Sequence, residues 1–312
     1  MSDINETNIA VVIPCFRETR RILDVIKSLG AEVSRIIVID DACPENTGEY
    51  VKNNCKDPRV EVLIHDVNTG VGGATMSGYR RAIEAGAEII VKVDGDGQMD
   101  PSLISDLVAP LLDGVADYAK GNRFYNLDGL SDMPRVRIFG NLVLSFASKV
   151  SSGYWNVFDP TNGFTAIHID AARRLPFDKI DNGFFFESDM LFRLNMMRGV
   201  VIDIPMPARY GDEESSLKIH NVIVSFAARH YVNAVKRIFY NYFIRDFGIA
   251  SIELVLGKLL LLFGVVYGIY SWTESAETGI PATAGTVILA ALPIILGSQM
   301  LIAFLNFDTK NV

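Results

Sequence analysis

Val91-Lys92-Val93-Asp94-Gly95-Asp96-Gly97-Gln98-Met99-Asp100-Pro101 is the stretch from which the rest of the chain is read. Ile89, Ile90, Val91 and Val93 form the end of a buried strand, and two glycines then turn the chain while it presents Asp94, Asp96 and Gln98. Two carboxylates and an amide carbonyl at alternate positions are hard oxygen ligands. They suit Mg²⁺ or Mn²⁺, which keep open positions for phosphate oxygens. Open α/β sheets bind ligands beyond the carboxyl ends of their strands, which is where this turn falls. The plain alternative is a polar turn leading into a helix near Pro101.

Working toward the N-terminus, residues 9–13 read as a strand ending at Pro14, residues 35–39 as a second ending at Asp40-Asp41, and residues 60–65 as a third. Helical patterns cover residues 18–29 and 73–85, and a strand over 87–93 delivers the aspartates. This rhythm predicts an α/β fold, a mostly parallel sheet with flanking helices. The turns at residues 14–18, 40–41, 70–73 and 94–98 then share one sheet edge.

Charge divides the chain. Residues 1–218 hold 32 Asp and Glu against 23 Lys and Arg, whereas residues 219–312 hold 5 against 6. The acidic part is long enough for one sizeable domain, and its balance argues against a nucleic-acid binder. Cys15, Cys43 and Cys55 show no metal-ligand spacing, which fits a reducing cytoplasm rather than a disulfide framework. The polar start, Met1 to Asn8, lacks the apolar core of a secretory signal.

Residues 254–272 and 284–305 are two apolar runs, each close to the ~20 residues that cross a bilayer. The loop between them carries Glu274 and Glu277 but no Lys or Arg, while Arg229, Lys236, Arg237, Arg245 and Lys258 crowd the preceding flank. The positive-inside rule places the N-terminal part and the tail in the cytoplasm, at the plasma (inner) membrane. Before the spans, residues 219–245 follow helical spacing, with Tyr231, Val235 and Phe239 among the apolar positions and Asn233, Lys236 and Arg237 among the polar ones. A basic face opposite an aromatic one suits a membrane interface; the same apolar face also suits the core of the soluble domain. The expected organisation is a domain over 1–218, an amphipathic juxtamembrane region over 219–248 and two transmembrane helices over 249–312.

In order, the turns resemble glycosyltransferase family 2, and most nearly its polyprenyl-phosphate transferases of the dolichyl-phosphate mannose synthase type. The matching residues are Val12-Ile13-Pro14-Cys15-Phe16-Arg17-Glu18, Ile39-Asp40-Asp41-Ala42-Cys43-Pro44-Glu45-Asn46-Thr47, Asn68-Thr69-Gly70-Val71-Gly72-Gly73-Ala74, and Asp94-Gly95-Asp96-Gly97-Gln98. Asp159-Pro160-Thr161-Asn162-Gly163-Phe164, Phe186-Glu187-Ser188-Asp189-Met190-Leu191 and the stretch from Arg209 to Leu217 continue the likeness. Arg17, Ala42-Cys43 and Asp189 depart from the family's usual Asn, Gly-Ser and Glu.

The resemblance implies a GT-A-like sheet and a metal-dependent inverting glycosyltransferase. Its partners would be a nucleotide sugar (UDP- or GDP-linked), a polyprenyl phosphate of undecaprenyl or dolichyl type and the lipid bilayer, in the synthesis of cell envelope polysaccharide. Homo-oligomerisation stays open. It implies that Pro14, Glu18, Asp41, Gly72 and Asp94 bind the donor, that Asp94, Asp96 and Gln98 hold Mg²⁺ or Mn²⁺, and that Asp96, Asp159 and Asp189 are catalytic. Arg123, Arg137, Asn141 and Arg209 would face the acceptor phosphate. A lipid phosphate, with a second pKa near ~6, needs positioning by arginines more than it needs a base. A sugar hydroxyl on a lipid-linked glycan is the alternative acceptor and requires a carboxylate base. A nucleotidyltransferase and a non-enzymatic nucleotide-sugar binder are two further readings. Glu187 reads as a surface charge, and the four histidines carry no assigned role.

Overall fold

The computed structural model describes Ile4 and residues 7–125, 135–207 and 219–310; the side chains of residues 135–137 and 219–223 lie outside that description. There are seven strands among the described residues, β1 to β4 and β7 rich in β-branched residues: β1 (Ile9–Cys15), β2 (Val33–Asp40), β3 (Val60–Ile64), β4 (Ile89–Lys92), β5 (Tyr118–Asn122), β6 (Thr165–His168) and β7 (Val201–Pro205). They form one sheet in the order β3-β2-β1-β4-β6-β5-β7. Every neighbouring pair is parallel except those of β6, which runs antiparallel to β4 and β5.

The helices of this sheet are α1 (Ile22–Ser28), α2 (Thr47–Asn54), α3 (Gly70–Glu84), α4 (Ile104–Leu112), α5 (Arg135–Ser152), α6 (Ile169–Arg174) and α7 (Phe186–Met196). All seven residues of β1 are buried, because helices cover both faces of the sheet. Successive strand side chains point to opposite sides. Ile9, Val11 and Ile13 therefore pack with Ile22, Val25 and Ile26 of α1 and Leu107 and Val108 of α4. Ala10 and Val12 pack with Ala74 and Tyr79 of α3 and Phe186, Met190 and Leu194 of α7. The chain leaves β1 for β2 on one side and pairs with β4 on the other, so the strand order reverses between β1 and β4. A crevice opens at such a reversal, beyond the strand ends.

Helix α1 starts at Ile22, four residues later than its pattern suggests. Arg17 has φ 66°, and Thr19 hydrogen-bonds Glu45 at 3.1 Å, which keeps residues 17–19 as a turn over β1.

The chain forms two compact units, Met1–Ala234 and Val235–Val312. The boundary falls inside α8 (Ile219–Phe239), which continues into a π-helical turn, Tyr240–Arg245. In the first unit, α8 is held by its polar residues: His230 Nδ1 pairs with Ser151 Oγ at 2.8 Å, and Asn233 donates to Asp189 at 3.1 Å. Within the second unit, Arg237 makes a two-pronged ion pair with Asp308 at 2.6 and 2.9 Å, and Tyr242 donates to the same carboxylate at 2.7 Å. Asn233 and Arg237 are thus buried, while Tyr231, Val235 and Phe239 are exposed. Of the residues read as the polar face of α8, Arg229 and Lys236 are exposed and Asn233 and Arg237 are buried. Helical spacing places residues on a common face but does not say which face turns inward.

Helices α9 (Ile249–Thr278) and α10 (Ala284–Lys310) are long and apolar enough to cross a membrane. They pack closely through glycine. A Cβ on Gly257 would lie 3.1 Å from the Gly297 carbonyl, and one on Gly297 would lie 2.7 Å from Leu261 N. Small residues at such a seam let membrane helices approach.

Candidate active site

Asp94 follows β4 at the reversal point, and Lys92 stands two residues before it on the α3/α7 side of the sheet. Lys92 is buried at 1% exposure; its ammonium lies 2.7 Å from Asp94 Oδ1, 3.9 Å from Glu187 and 5.2 Å from the centre of the Phe186 ring. Burial draws the Lys92 pKa down, but Asp94 and Glu187 outweigh it and hold the ammonium above its ordinary value. Glu187 is pushed up to about 8, chiefly by burial and partly by Asp94, against the pull of Lys92. Its side chain is only 12% exposed, so the surface-charge reading of Glu187 is wrong. The N-terminus of α7 packs Phe186 into the core and thereby carries Glu187 inward.

The turn itself is shaped by its own polar groups. Gln98 N–H donates to Asp96 Oδ1 at 2.9 Å, and Arg21 of the residue 17–21 turn donates to the Asp96 carbonyl at 2.9 Å. Gly95 lets the turn lie against Glu18: an added Cβ would sit 3.2 Å from Glu18 Cγ and from Cys15 Sγ. Glu18, Asp94, Asp96 and Gln98 are thereby neighbours, at the carboxyl ends of β1 and β4. A side chain on Gly163 would press on Lys92 Nζ and come within 2.9 Å of Asp94 Oδ2, so its absence leaves a cradle beside that carboxylate oxygen. Among the described residues no three His, Cys, Asp or Glu side chains converge as a closed metal cage. Asp94, Asp96 and Gln98 instead form an open, oxygen-only set, which fits Mg²⁺ or Mn²⁺ completed by phosphate oxygens. A concavity of about 880 Å³ borders the other side of the turn and is lined by Arg21, Asp24, Asp96 and Gln98 but not by Lys92 or Asp94.

The paired aspartates after β2 organise loops. Asp40 accepts the N–H groups of Cys43 at 2.7 Å and Gly48 at 2.6 Å. Asp41 accepts the N–H groups of Thr69 and Gly70 at 2.8 and 2.7 Å, the Thr69 hydroxyl at 2.8 Å, and pairs with His65 Nδ1 at 2.8 Å. Expected as a direct donor contact, Asp41 here holds the loop that begins α3. Gly72, expected beside the donor, donates its N–H to the Asn182 carbonyl at 2.8 Å. A Cβ there would meet the Asp181 carbonyl and lie 2.7 Å from Phe186 Cβ, so the missing side chain allows α3 to seat the start of α7.

Arg123 and Asp159, read separately as an acceptor group and a catalytic acid, meet as one pair. Arg123 Nε and Nη2 reach the two Asp159 oxygens at 2.7 and 2.8 Å, and buried Lys120 donates to the Asp159 carbonyl. Burial opposes the Asp159 charge, but Arg123 and Lys120 hold its carboxyl below the ordinary carboxylate range. Asp189, the other expected catalytic acid, is buried and fully occupied. It accepts from Asp181 N and Arg193 Nε at 3.1 Å each, and from Asn233 at 3.1 Å. Pro14 is buried at the end of β1, and Asn141 lies half-buried on α5. Arg137 is on α5 with its side chain outside the description, and Arg209 lies outside the described residues altogether. The groups missed by sequence reasoning are Lys92 and Lys120, whose signal was a lysine embedded in a strand otherwise fit for the core.

An open, mainly parallel sheet that gathers carboxylates at its point of strand reversal defines an α/β protein with a ligand site beyond its strand ends. Residues 10–175 match glycosyl transferase family 2, and the chain belongs to that family. A UDP-N-acetylglucosamine–dolichyl-phosphate N-acetylglucosaminyltransferase of Methanococcus voltae is 32% identical over 181 residues, covering 54% of this chain and 72% of its own. An undecaprenyl-phosphate mannosyltransferase of Micrococcus luteus is 28% identical, covering 64% of this chain and 82% of its own. In fold, the chain resembles glucosyl-3-phosphoglycerate synthase from Mycobacterium tuberculosis, solved with Mn²⁺, UDP and glucosyl-3-phosphoglycerate, at TM-score 0.55 and 17% identity over 74% of this chain and 80% of that one.

Proposed function

We propose that this family 2 glycosyltransferase moves one sugar, with inversion, from a UDP- or GDP-linked donor to a polyprenyl phosphate at the cytoplasmic face of the membrane. The observation that carries this reading is the state of the carboxyl groups around the site. Asp159 is bound on both oxygens by Arg123, and Asp189 by Arg193, Asp181 N and Asn233. Glu187, pushed up to about 8, keeps its proton at neutral pH. A hydroxyl acceptor needs an ionised base in reach, which none of these three supplies, whereas a lipid phosphate is already anionic. The named relatives that act on dolichyl or undecaprenyl phosphate support the same acceptor class.

In this reading Glu18 and the loops set by Asp40 and Asp41 enclose the donor, and Asp94 and Asp96, with Gln98, would hold Mg²⁺ or Mn²⁺. Such an ion offsets the charge of the leaving diphosphate. Lys92 fixes Asp94 from below, and Asp159 and Asp189 act as positioning residues, the first through Arg123. Arg137, Asn141 and Arg209 are assigned to the acceptor phosphate. Residues 1–218 form the catalytic domain, 219–248 the juxtamembrane region and 249–312 two spans, with both ends cytoplasmic by the positive-inside rule. The product is a lipid-linked sugar for envelope polysaccharide.

The test is incubation of the purified full chain with UDP- and GDP-sugars and either polyprenyl phosphate or a glycolipid lacking free phosphate. Transfer to the phosphate is expected. Preferential transfer to the hydroxyl acceptor overturns the reading. Asp96→Asn should lower turnover by orders of magnitude and weaken Mn²⁺ binding measured by calorimetry; unchanged Mn²⁺ affinity removes Asp96 from the metal set.

A further inference from the structure

Two lysines lie in the core of the sheet, one strand apart. Lys92 of β4 and Lys120 of β5 are both in register with Thr165 of β6, the strand between them. Residues in register point to one face of a sheet. Lys92, Thr165 and Lys120 therefore form a row beneath the site, on the α3/α7 side, each at 1% exposure or less. Burying an ammonium group is costly, and an aliphatic side chain would fill either place without that penalty. Each lysine instead reaches a loop at the carboxyl end of the sheet: Lys92 the Asp94 carboxylate at 2.7 Å, and Lys120 the main-chain carbonyl of Asp159.

From this row we infer that Lys120 is a positioning residue for the acceptor: it pins the Asp159 turn and through it aims Arg123, while Lys92 serves the donor by pinning Asp94. The inference rests on the proposed function and divides its two substrates between two loops. Asp159 has φ 38°, a left-handed conformation that a residue other than glycine keeps only when its surroundings hold it. Two donors hold its carbonyl, the Lys120 ammonium and the Asn162 N–H, the latter at 3.1 Å. With the main chain fixed, the carboxylate takes three hydrogen bonds from Arg123, from Nε at 2.7 Å, Nη2 at 2.8 Å and the main-chain N–H at 3.2 Å. The Arg123 side chain stays 29% exposed, so it is held from one side and open on another. Its place in the sheet argues for the acceptor. The turns assigned to the donor follow β1, β2 and β4, which are neighbours, whereas Arg123 follows β5 and Asp159 precedes β6, the strands that continue the sheet beyond β4. A guanidinium there suits the substrate that brings its own phosphate. Burial draws the Lys120 pKa down against the pull of Asp159 and Asp203, yet an amine donates to a carbonyl with or without its charge.

The test is steady-state kinetics of the full chain with nucleotide sugar and polyprenyl phosphate varied in turn, alongside Mn²⁺ calorimetry and thermal unfolding. Lys120→Met should raise the KM for polyprenyl phosphate roughly tenfold or more, with the donor KM and the Mn²⁺ affinity within about twofold of the unaltered chain. Lys92→Met should do the reverse, raising the donor KM and leaving the acceptor KM in place. Lys120→Gln, which keeps a shorter N–H donor, should fall between Lys120→Met and the unaltered chain in acceptor KM, and it carries the test alone where the methionine variant does not fold. Equal changes in both KM values for a Lys120 variant, or no change in either, overturn the inference and leave the proposed function standing. Failure of both Lys120 variants to fold assigns the lysine to the core alone and overturns it too. Absence of transfer to polyprenyl phosphate by the unaltered chain overturns the proposed function and the inference with it.

Discussion

Lys92, Asp94 and Glu187 form a charge chain at the mouth of a strand that is buried on both faces. Glu187 titrates near 8 rather than at its ordinary 4.5. The folded protein therefore keeps a proton that the unfolded chain releases. The contribution is fully present below pH 4.5 and is lost as pH rises through about 8. Unfolding in urea without added metal should show the full chain losing stability between pH 5 and pH 9, on the order of a few kcal/mol. Glu187→Gln should flatten that slope; an unchanged slope would assign the pH dependence elsewhere. The turn that carries Asp94, Asp96 and Gln98 beyond β4 was legible in sequence because a polar, glycine-containing turn after a buried strand is a local pattern. Glu187 was not. Its burial follows from Phe186 docking over Lys92, a contact between residues nearly a hundred positions apart that no local pattern encodes.

At the scale of elements, β1 to β4 with α1 and α3 were readable from periodicity, whereas β5, β6 and β7 were not, since Tyr118–Asn122 and Thr165–His168 are short and carry Lys120, Gly121 and Asn122 or a single isoleucine. The loop before α3 carries glycines that the sequence associated with the donor, yet Gly72 serves the packing of α3 against residues 181–186. Gly72→Ala would place a Cβ 2.7 Å from that of Phe186 and against the Asp181 carbonyl, which is backbone and cannot swing aside. The start of α7 must shift, moving Glu187 and Asp189 with it. Overpacking of this kind costs roughly 1–3 kcal/mol, and kcat/KM should fall by about tenfold or more, since small displacements at a site are costly. Steady-state kinetics and thermal unfolding of the Gly72→Ala chain check this; full activity at wild-type stability would show that the contact yields freely. Helix α8 teaches the same lesson in reverse. Its spacing was read correctly, but three of its polar residues are buried, because Ser151 and Asp189 in the first unit offer partners to His230 and Asn233, and Asp308 in the second offers one to Arg237.

For the whole molecule, the second unit is pinned by one buried ion pair whose members are far apart in sequence. Arg237 and Asp308 are each 2% exposed and share two hydrogen bonds, with Tyr242 as a third partner. Removing one member strands the other charge in a low-dielectric setting, at a cost of roughly 3–5 kcal/mol, whereas replacing both by apolar residues of similar size is often neutral. Asp308→Ala should therefore lower the thermal midpoint of the chain in detergent strongly, and Arg237→Met combined with Asp308→Leu should recover most of the loss. The same logic decides where a soluble form can end. A chain cut after Gly248 keeps Arg237 and Tyr242 but discards Asp308, while a chain ending at Ala234 retains the His230 and Asn233 contacts and leaves no stranded partner. The shorter form should bind nucleotide sugar and unfold cooperatively, and the longer one should aggregate. Equal solubility and equal cooperativity of the two, followed by light scattering and circular dichroism, would show that the Arg237–Asp308 pair does not govern the stability of this part of the chain.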